Sequence, residues 1–249
     1  MKLHLNRYLK YFNIRVEKIK PFDAEIEFLS HLSDELQARQ LLLEYHGITA
    51  LLDVGANSGQ YASLMRRIGY KGRIVSFEPL STAYSELKNK TALDAHWQDL
   101  NFALGSKDEE AIIHVSGNSY SSSILDILPS HIEFDADSKY ISEERIQVKR
   151  LDDVYDQFVT AKDIVMLKID TQGFEKNVLM GAKDSLSRIT LLQLEISIEP
   201  LYNNEILFLE MITYLNECGF ELFTLENGIR NPKNGKLLQV DGIFKNRNL

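Results

Sequence analysis

The period of apolar positions changes repeatedly along the chain, and each change marks an element. Residues 48–54 are a nearly continuous apolar run, as in a parallel strand buried on both faces. Tyr61, Leu64, Met65 and Ile68 then recur at helical spacing, opposite Arg66 and Arg67, with Ser58 as the expected N-cap. Short apolar runs at 73–77, 96–104, 164–169 and 189–196 predict further core strands. Helices are expected at 83–93, from near Gly173, and at 206–215. Residues 111–115 and 145–151 read as extended. Between them, the serine- and acid-rich stretch 117–140 (117–145 with its flank) is expected to be an irregular insertion over the mouth of a site. Residues 220–225 and 239–244, joined by a Gly/Asn/Pro-rich turn, predict a hairpin and hence one antiparallel strand. Ile26, Leu29, Leu32, Leu36 and Leu43 place a helix over 24–46, stopped at Gly47. Alternating strands and helices argue for an α/β fold with a mostly parallel sheet. The expected organisation is a core domain over 48–249, on which a basic segment and helix over 1–47 pack.

The loop after the first strand carries the first chemistry. It reads Asp53-Val-Gly-Ala-Asn-Ser-Gly59. Glycines at 55 and 59 allow a sharp turn and close ligand approach to backbone N–H groups. A dinucleotide fingerprint starting at Gly55 would need glycine at 57 and 60, where the chain has Asn57 and Gln60. The pyrophosphate cradle is absent, which disfavours a nicotinamide-dependent oxidoreductase. The pattern suits a ligand without phosphates, and S-adenosylmethionine fits. The bland alternative is a tight strand-to-helix turn with nothing bound. The second strand ends in Glu78-Pro79, about 20 residues beyond the glycine loop. A carboxylate there can accept hydrogen bonds from both ribose hydroxyls. The competing role for Glu78 is to cap the helix that starts near Ser81.

Ligands of such sheets bind beyond the carboxyl ends of the parallel strands. That rule selects Asp53, Glu78, Asp170 and Glu195. It adds Asp241 at the start of the final strand, whose reversed direction brings its beginning to the same edge. Carboxylates crowded together raise one another's pKa or recruit a cation. Lys168 interrupts a strand expected to be buried and shares a side with Asp170, so it orients a carboxylate or substrate oxygen, or snorkels to the sheet edge. Glu175 fits dipole compensation in a first helical turn. Asn101 and Ala103 either contact adenine or form a simple loop. His96 and His114 read as core or edge residues. His131 and the serines of 119–123 lie in the insertion, within reach of a substrate if it covers the site.

Four blocks together resemble the signature of the FkbM-type methyltransferases: Asp53-Val-Gly-Ala-Asn-Ser-Gly59, Ser76-Phe-Glu-Pro79, Lys168-Ile-Asp-Thr-Gln-Gly-Phe-Glu175 and Leu192-Gln-Leu-Glu195. The resemblance spans residues 48–245. It implies a Rossmann-like class I methyltransferase fold with helices on both faces of the sheet. It also implies a S-adenosylmethionine-dependent O-methyltransferase acting on a sugar, glycan or related natural product. Asp53, Gly55, Asn57, Gly59, Tyr61, Glu78, Pro79, Asn101 and Ala103 would line the cofactor, and Asp170, Glu195 and Lys168 the reacting hydroxyl. In a metal-free route Asp170 or Glu195 takes the hydroxyl proton. In a metal route Asp170, Glu195 and Asp241 hold Mg²⁺. Related sugar and catechol enzymes carry acids after these two strands. Here Glu195-Ile-Ser replaces an adjacent acidic pair, so the metal-free route is preferred. The alternative is a non-catalytic cofactor-binding or interaction protein on the same scaffold.

Composition narrows the setting. With 249 residues, 44% hydrophobic and 26% charged, the chain suits one large globular domain. A net charge of −8 argues against sequence-independent nucleic-acid binding. No apolar run approaches the ~20 residues that cross a bilayer, no signal-peptide core is visible, and a single Cys218 allows no internal disulfide. A cytoplasmic protein is expected. Six cations within the first twenty residues face only Glu17. That basic amphipathic segment packs on its own domain or on a second subunit of a homo-oligomer, with peripheral contact to an anionic membrane as the alternative.

Overall fold

The computed structural model describes residues 34–249. The expected helix over 24–46 is seen from Asp34–Tyr45 (α1). Its earlier part and the basic segment lie outside the described residues. Residues 40–249 form one compact unit.

Its main sheet has seven strands. In chain order they are β1 (Ala50–Val54), β2 (Arg73–Phe77), β3 (Trp97–Leu100), β7 (Val165–Ile169), β8 (Ile189–Ser197), β9 (Phe220–Asn227) and β10 (Gln239–Asn246). The spatial order is β3-β2-β1-β7-β8-β10-β9. Neighbours from β3 to β8 pair in parallel, and β10 runs antiparallel to both β8 and β9. The sheet is therefore mostly parallel with one reversed strand, as the hairpin signal predicts.

Side-chain alternation divides the sheet into two faces. Leu52, Val54, Val75, Phe77, Leu167 and Ile169 face a core cluster with α5 (Leu151–Phe158), α6 (Glu175–Met180) and α7 (Phe208–Glu217). The other face meets α2 (Gln60–Arg67) and α3 (Ser81–Thr91), and it carries a polar row. Ser76, Asp53, Lys168 and Gln193 lie side by side in register across β2, β1, β7 and β8. All four are buried. Burying such a row demands that its members satisfy one another.

Several local expectations change. The strand expected over 96–104 splits: β3 stays in the main sheet, while β4 (Ala103–Leu104) joins a second, three-stranded sheet. There it pairs with β6 (Tyr140–Lys149), which also pairs antiparallel along β5 (Glu109–Ser116). The insertion is more ordered than its composition suggests, with α4 (Pro129–Phe134) starting at a proline, a 3₁₀ turn at Ala136–Ser138, and β6 beginning at Tyr140. Helix α5 is not among the sequence expectations, although Leu151, Val154, Tyr155 and Phe158 recur at helical spacing. The N-cap of α2 is Gly59 in a left-handed conformation, not Ser58.

Candidate active site

At the carboxyl end of β1 the chain passes Gly55, whose φ is +74°, and turns into α2. A Cβ on Gly55 would lie 1.8 Å from the carbonyl oxygen of Asp170. Close passage of the β7 turn, rather than a ligand, therefore demands the glycine. The loop N–H groups are also committed. Gly55 and Ala56 donate to Phe77 O, Asn57 to Glu78 Oε2 at 2.7 Å, Ser58 to Asn57 Oδ1, and Gly59 to Ala56 O. The expected role of this loop as a row of open N–H donors does not hold at residues 55–59.

Glu78 follows β2 and is buried. Its Oε2 accepts from Asn57 and its Oε1 from Leu80 N at 2.9 Å, so it ties the glycine loop to the start of α3. Burial pushes its carboxyl up to about 7, against the pull of those two N–H groups. Asn101 Nδ2 donates to the carbonyls of Glu78 and Pro79, each at 3.0 Å, which fixes the turn that carries the acid. Ala103 differs from expectation: its side chain packs with Leu80, Ile113, Ile146 and Val148, so it is core rather than cleft.

Asp53 is fully buried. Its Oδ2 accepts from Ser76 Oγ at 3.1 Å, and that oxygen accepts from Trp97 Nε1 at 2.9 Å. Its Oδ1 has no hydrogen-bond partner among the described residues, although the Lys168 ammonium lies 3.4 Å away. Burial raises the Asp53 carboxyl, and Lys168 opposes the rise. Lys168 is equally 3.4 Å from Asp170 Oδ2 and from Gly55 O, and sits 5.2 Å from the centre of the Tyr61 ring. Burial would lower its ammonium, but Asp170 and Asp53 outweigh that and hold it above its ordinary value. Lys168 stays buried and charged, and does not snorkel.

The second group of acids stands at the ends of β7 and β8. Asp170 follows β7 directly. Glu195 lies two residues inside β8, directly opposite Asp241 on β10. Gln172 bridges the first two: its Nε2 donates to Asp170 Oδ1 at 2.8 Å and to Glu195 Oε2 at 2.7 Å. Gln239 Nε2 adds a 3.0 Å bond to the same Glu195 oxygen. Burial, then Asp170 and Asp241, raise the Glu195 carboxyl well above its ordinary value. Gln193 Oε1 accepts from Tyr61 OH at 2.6 Å, and its Nε2 donates to Asp241 Oδ1 at 3.1 Å. Sequence reasoning missed Gln172, Gln193, Gln239 and Tyr202; only Gln172 and Gln193 lie inside the signature blocks. Among the described residues no group of His, Cys, Asp and Glu has the geometry to hold a metal ion, and an amide rather than an open gap separates Asp170 from Glu195.

Glu175 does more than compensate a helix dipole. Its Oε1 accepts from Thr171 N at 2.8 Å, Thr171 Oγ1 at 3.1 Å and Gly173 N at 3.1 Å, folding the turn after Asp170 onto itself. Burial pushes it up to about 7. The insertion does reach this region. Asn57 Nδ2 donates to Ser119 O, and Ser123 Oγ donates to Gln172 O. His131 is instead buried against Phe134 and Tyr202, where burial lowers its imidazole to about 4. His114 stacks on Tyr140, beside Glu143 and Asp126.

Comparison with known proteins bears on this arrangement. The model of the methyltransferase FkbM domain matches residues 53–222. Methyltransferase 1 of Beauveria bassiana is 28% identical over 149 residues, covering 54% of this chain and 58% of that protein. The AMB antimetabolite synthetase AmbE of Pseudomonas aeruginosa is 27% identical over 176 residues, covering 59% of this chain and 8% of that protein. A crystal structure of methyltransferase FkbM from Methylobacillus flagellatus KT is similar over 89% of this chain and 58% of its own length, with 16% identity and a TM-score of 0.47. The matches thus span little over half of the fungal relative and of that structure, and a small part of the synthetase. Because the family model matches the greater part of its residues, the chain belongs to the FkbM methyltransferase domain family.

Proposed function

We propose that the chain is a S-adenosylmethionine-dependent methyltransferase whose acceptor is a hydroxyl of a sugar, glycan or related natural product. The observation that carries this is the presence of two distinct acidic stations on one sheet edge, joined through Lys168. S-adenosylmethionine, when bound, supplies an electrophilic methyl carbon on a sulfonium sulfur. Two features fit such a ligand. Each Glu78 oxygen accepts one backbone N–H and keeps a lone pair for a ribose hydroxyl. The buried Asp53 Oδ1 has no close hydrogen-bond donor among the described residues, the Lys168 ammonium standing 3.4 Å away. Asn57, Tyr61, Pro79 and Asn101 complete the holding group.

Glu195 Oε1 accepts the proton of the attacking hydroxyl. Of the two candidate bases, Asp170 has both oxygens engaged, one by Gln172 and one by the Lys168 ammonium. Among the described residues, Glu195 receives neutral amide donors, both on Oε2. Its raised pKa suits a proton acceptor for an alcohol, whose own acidity is weak. Lys168 positions Asp170. The route is metal-free, in keeping with the Gln172 amide lodged between the two acids. The name of the fungal relative supports methyl transfer, and that of the synthetase supports a natural-product acceptor. No helix among the described residues is long and apolar enough to cross a membrane. With the single cysteine, a cytoplasmic setting is part of the proposal.

Calorimetry with S-adenosylhomocysteine tests the cofactor: binding to the intact protein, lost or much weakened in Glu78→Ala, is expected. No binding to the intact protein would sink the idea. Transfer of labelled methyl across a panel of sugars and lipid-linked glycans tests the acceptor. Binding without transfer to any of them would favour a non-catalytic protein.

A further inference from the structure

We propose that Gln172 and Tyr202 are positioning residues: Tyr202 fixes the Gln172 amide, and the amide holds Asp170 and Glu195 together while leaving Glu195 Oε1 open. Its consequence for catalysis rests on the methyl-transfer reading, but its geometry does not.

Gln172 has a φ of +55°, in the left-handed region that residues other than glycine seldom occupy. Such a conformation persists where the surroundings over-determine it. Here they do so at every polar atom of the side chain and at the carbonyl. The carbonyl accepts from Ser123 Oγ at 2.7 Å, and the two Nε2 hydrogens go to Asp170 Oδ1 and Glu195 Oε2. Oε1 accepts from Tyr202 OH at 2.8 Å. A flipped amide would set its oxygen against two carboxylate oxygens, so the orientation follows from the network. Tyr202 is buried, with its N–H held by Glu205 and its hydroxyl also 3.2 Å from Ser121 O. The single phenolic proton goes to the nearer Gln172 oxygen.

The charges around Glu195 give these neutral donors their importance. Asp170 and Lys168 face it from the end of β7, Glu175 from α6, Asp241 from β10, and Tyr202 from the segment after β8. Three of these groups are acids. Among the described residues Lys168 is the cation that acts on Glu195, and Asp53, Asp170 and Gly55 O already share it. Among the described residues, the amides of Gln172 and Gln239 donate directly to the Glu195 carboxylate. Losing one makes the proton harder to remove, and the base is then inactive until a higher pH.

The test is a titration of the Glu195 carboxyl by ¹³C NMR in the full-length protein, with the resonance assigned from Glu195→Gln. In Gln172→Leu the midpoint should rise by about one pH unit or more, the scale set by one hydrogen bond to a charged group. Tyr202→Phe should raise it less, in the same direction. The rising limb of the kcat–pH profile should move with it, while S-adenosylhomocysteine binds as to wild type. A purely structural role would lower the rate without moving the limb. Midpoints equal to wild type in both folded variants would overturn the proposal. If Gln172→Leu does not fold, Tyr202→Phe, which lacks only one oxygen, decides alone. The titration needs no methyl acceptor, so an inactive wild type would sink the proposed function and leave this inference to the midpoints.

Discussion

Both ends of the site gather carboxylates, but they hold them by different means. At the β1–β2 end, Glu78 accepts backbone N–H groups, and Asp53 accepts a hydroxyl that is itself pinned by an indole. At the β7–β8 end, Glu195 and Asp241 accept from the side-chain amides of Gln172, Gln239 and Gln193. Backbone donors move only if strands or loops move, so the first end presents nearly one fixed shape. Amide donors sit on flexible stems and change with a single substitution. The second end can therefore be retuned by single substitutions without disturbing the sheet. Lys168 and Gly55 sit at the junction, where the two ends touch.

The junction offers the most drastic way to break this comparison. Gly55→Ala would push a methyl group into the Asp170 carbonyl at a φ that disfavours any side chain. It should cost more than about 4 kcal/mol and leave little folded protein by circular dichroism. A stable variant would mean that the two ends are not in contact. Glu195→Gln separates the ends by function: methyl transfer should fall roughly 10²- to 10⁴-fold in a labelled-methyl assay. Calorimetry should show S-adenosylhomocysteine binding unchanged, and a parallel loss of binding would dissolve the division.

Lys168→Met strands the fully buried Asp53, beside a half-exposed Asp170, and should cost about 3–5 kcal/mol in urea unfolding. Adding Asp53→Asn should recover part of that loss. Because Asp170 and Asp53 raise the folded-state pKa of Lys168, its stabilisation is fully present below about pH 10 and is lost as pH rises through the folded value.

The smallest effect is the most discriminating. Glu78 and Glu175 each titrate near 7 when folded, so the folded state holds their protons more tightly than the unfolded chain does. Stability should therefore fall as pH rises from about 4.5 to 7. Glu175→Gln keeps the one oxygen that accepts all three donors. It should flatten that slope and stabilise the protein above pH 7 by up to about 3 kcal/mol. Glu78→Gln cannot accept with both of its terminal atoms, and Asn57 and Leu80 each need one. It should be destabilising by about 1–3 kcal/mol at about pH 5, where Glu78 is protonated when folded, and the difference should narrow as pH rises through 7. Equal behaviour of the two variants in pH-resolved unfolding would erase the distinction between an acid held through one oxygen and an acid held through both.

Much of the site was legible because strand ends are legible. The switch from continuous apolar residues to helical spacing exposes Asp53, Glu78 and Asp170 without any contact information. Asp241 followed from the hairpin, whose reversed strand the sheet order bears out. Other features carried a signal that the strand pattern masked: α5 repeats at 151, 154, 155 and 158, immediately after β6. Ser58 is a good capping residue by type, yet the turn needs a left-handed residue at the cap, and only Gly59 supplies it without strain. In the small sheet β5 and much of β6 were legible as extended runs, but β4 was not, because a two-residue strand is defined by its partner rather than by its own pattern.

The chain by itself determined the α/β alternation, the glycine loop without a pyrophosphate cradle, and the acids at the strand ends. Each of these is encoded within a few neighbouring residues. Only the tertiary structure decided how those acids are held. Gln193 meets Tyr61 across 132 residues, and Gln172 meets Tyr202 across 30. A glutamine amide has no local preference that announces its partner. Its role comes from which strands stand side by side, and in a parallel sheet those strands are far apart in sequence.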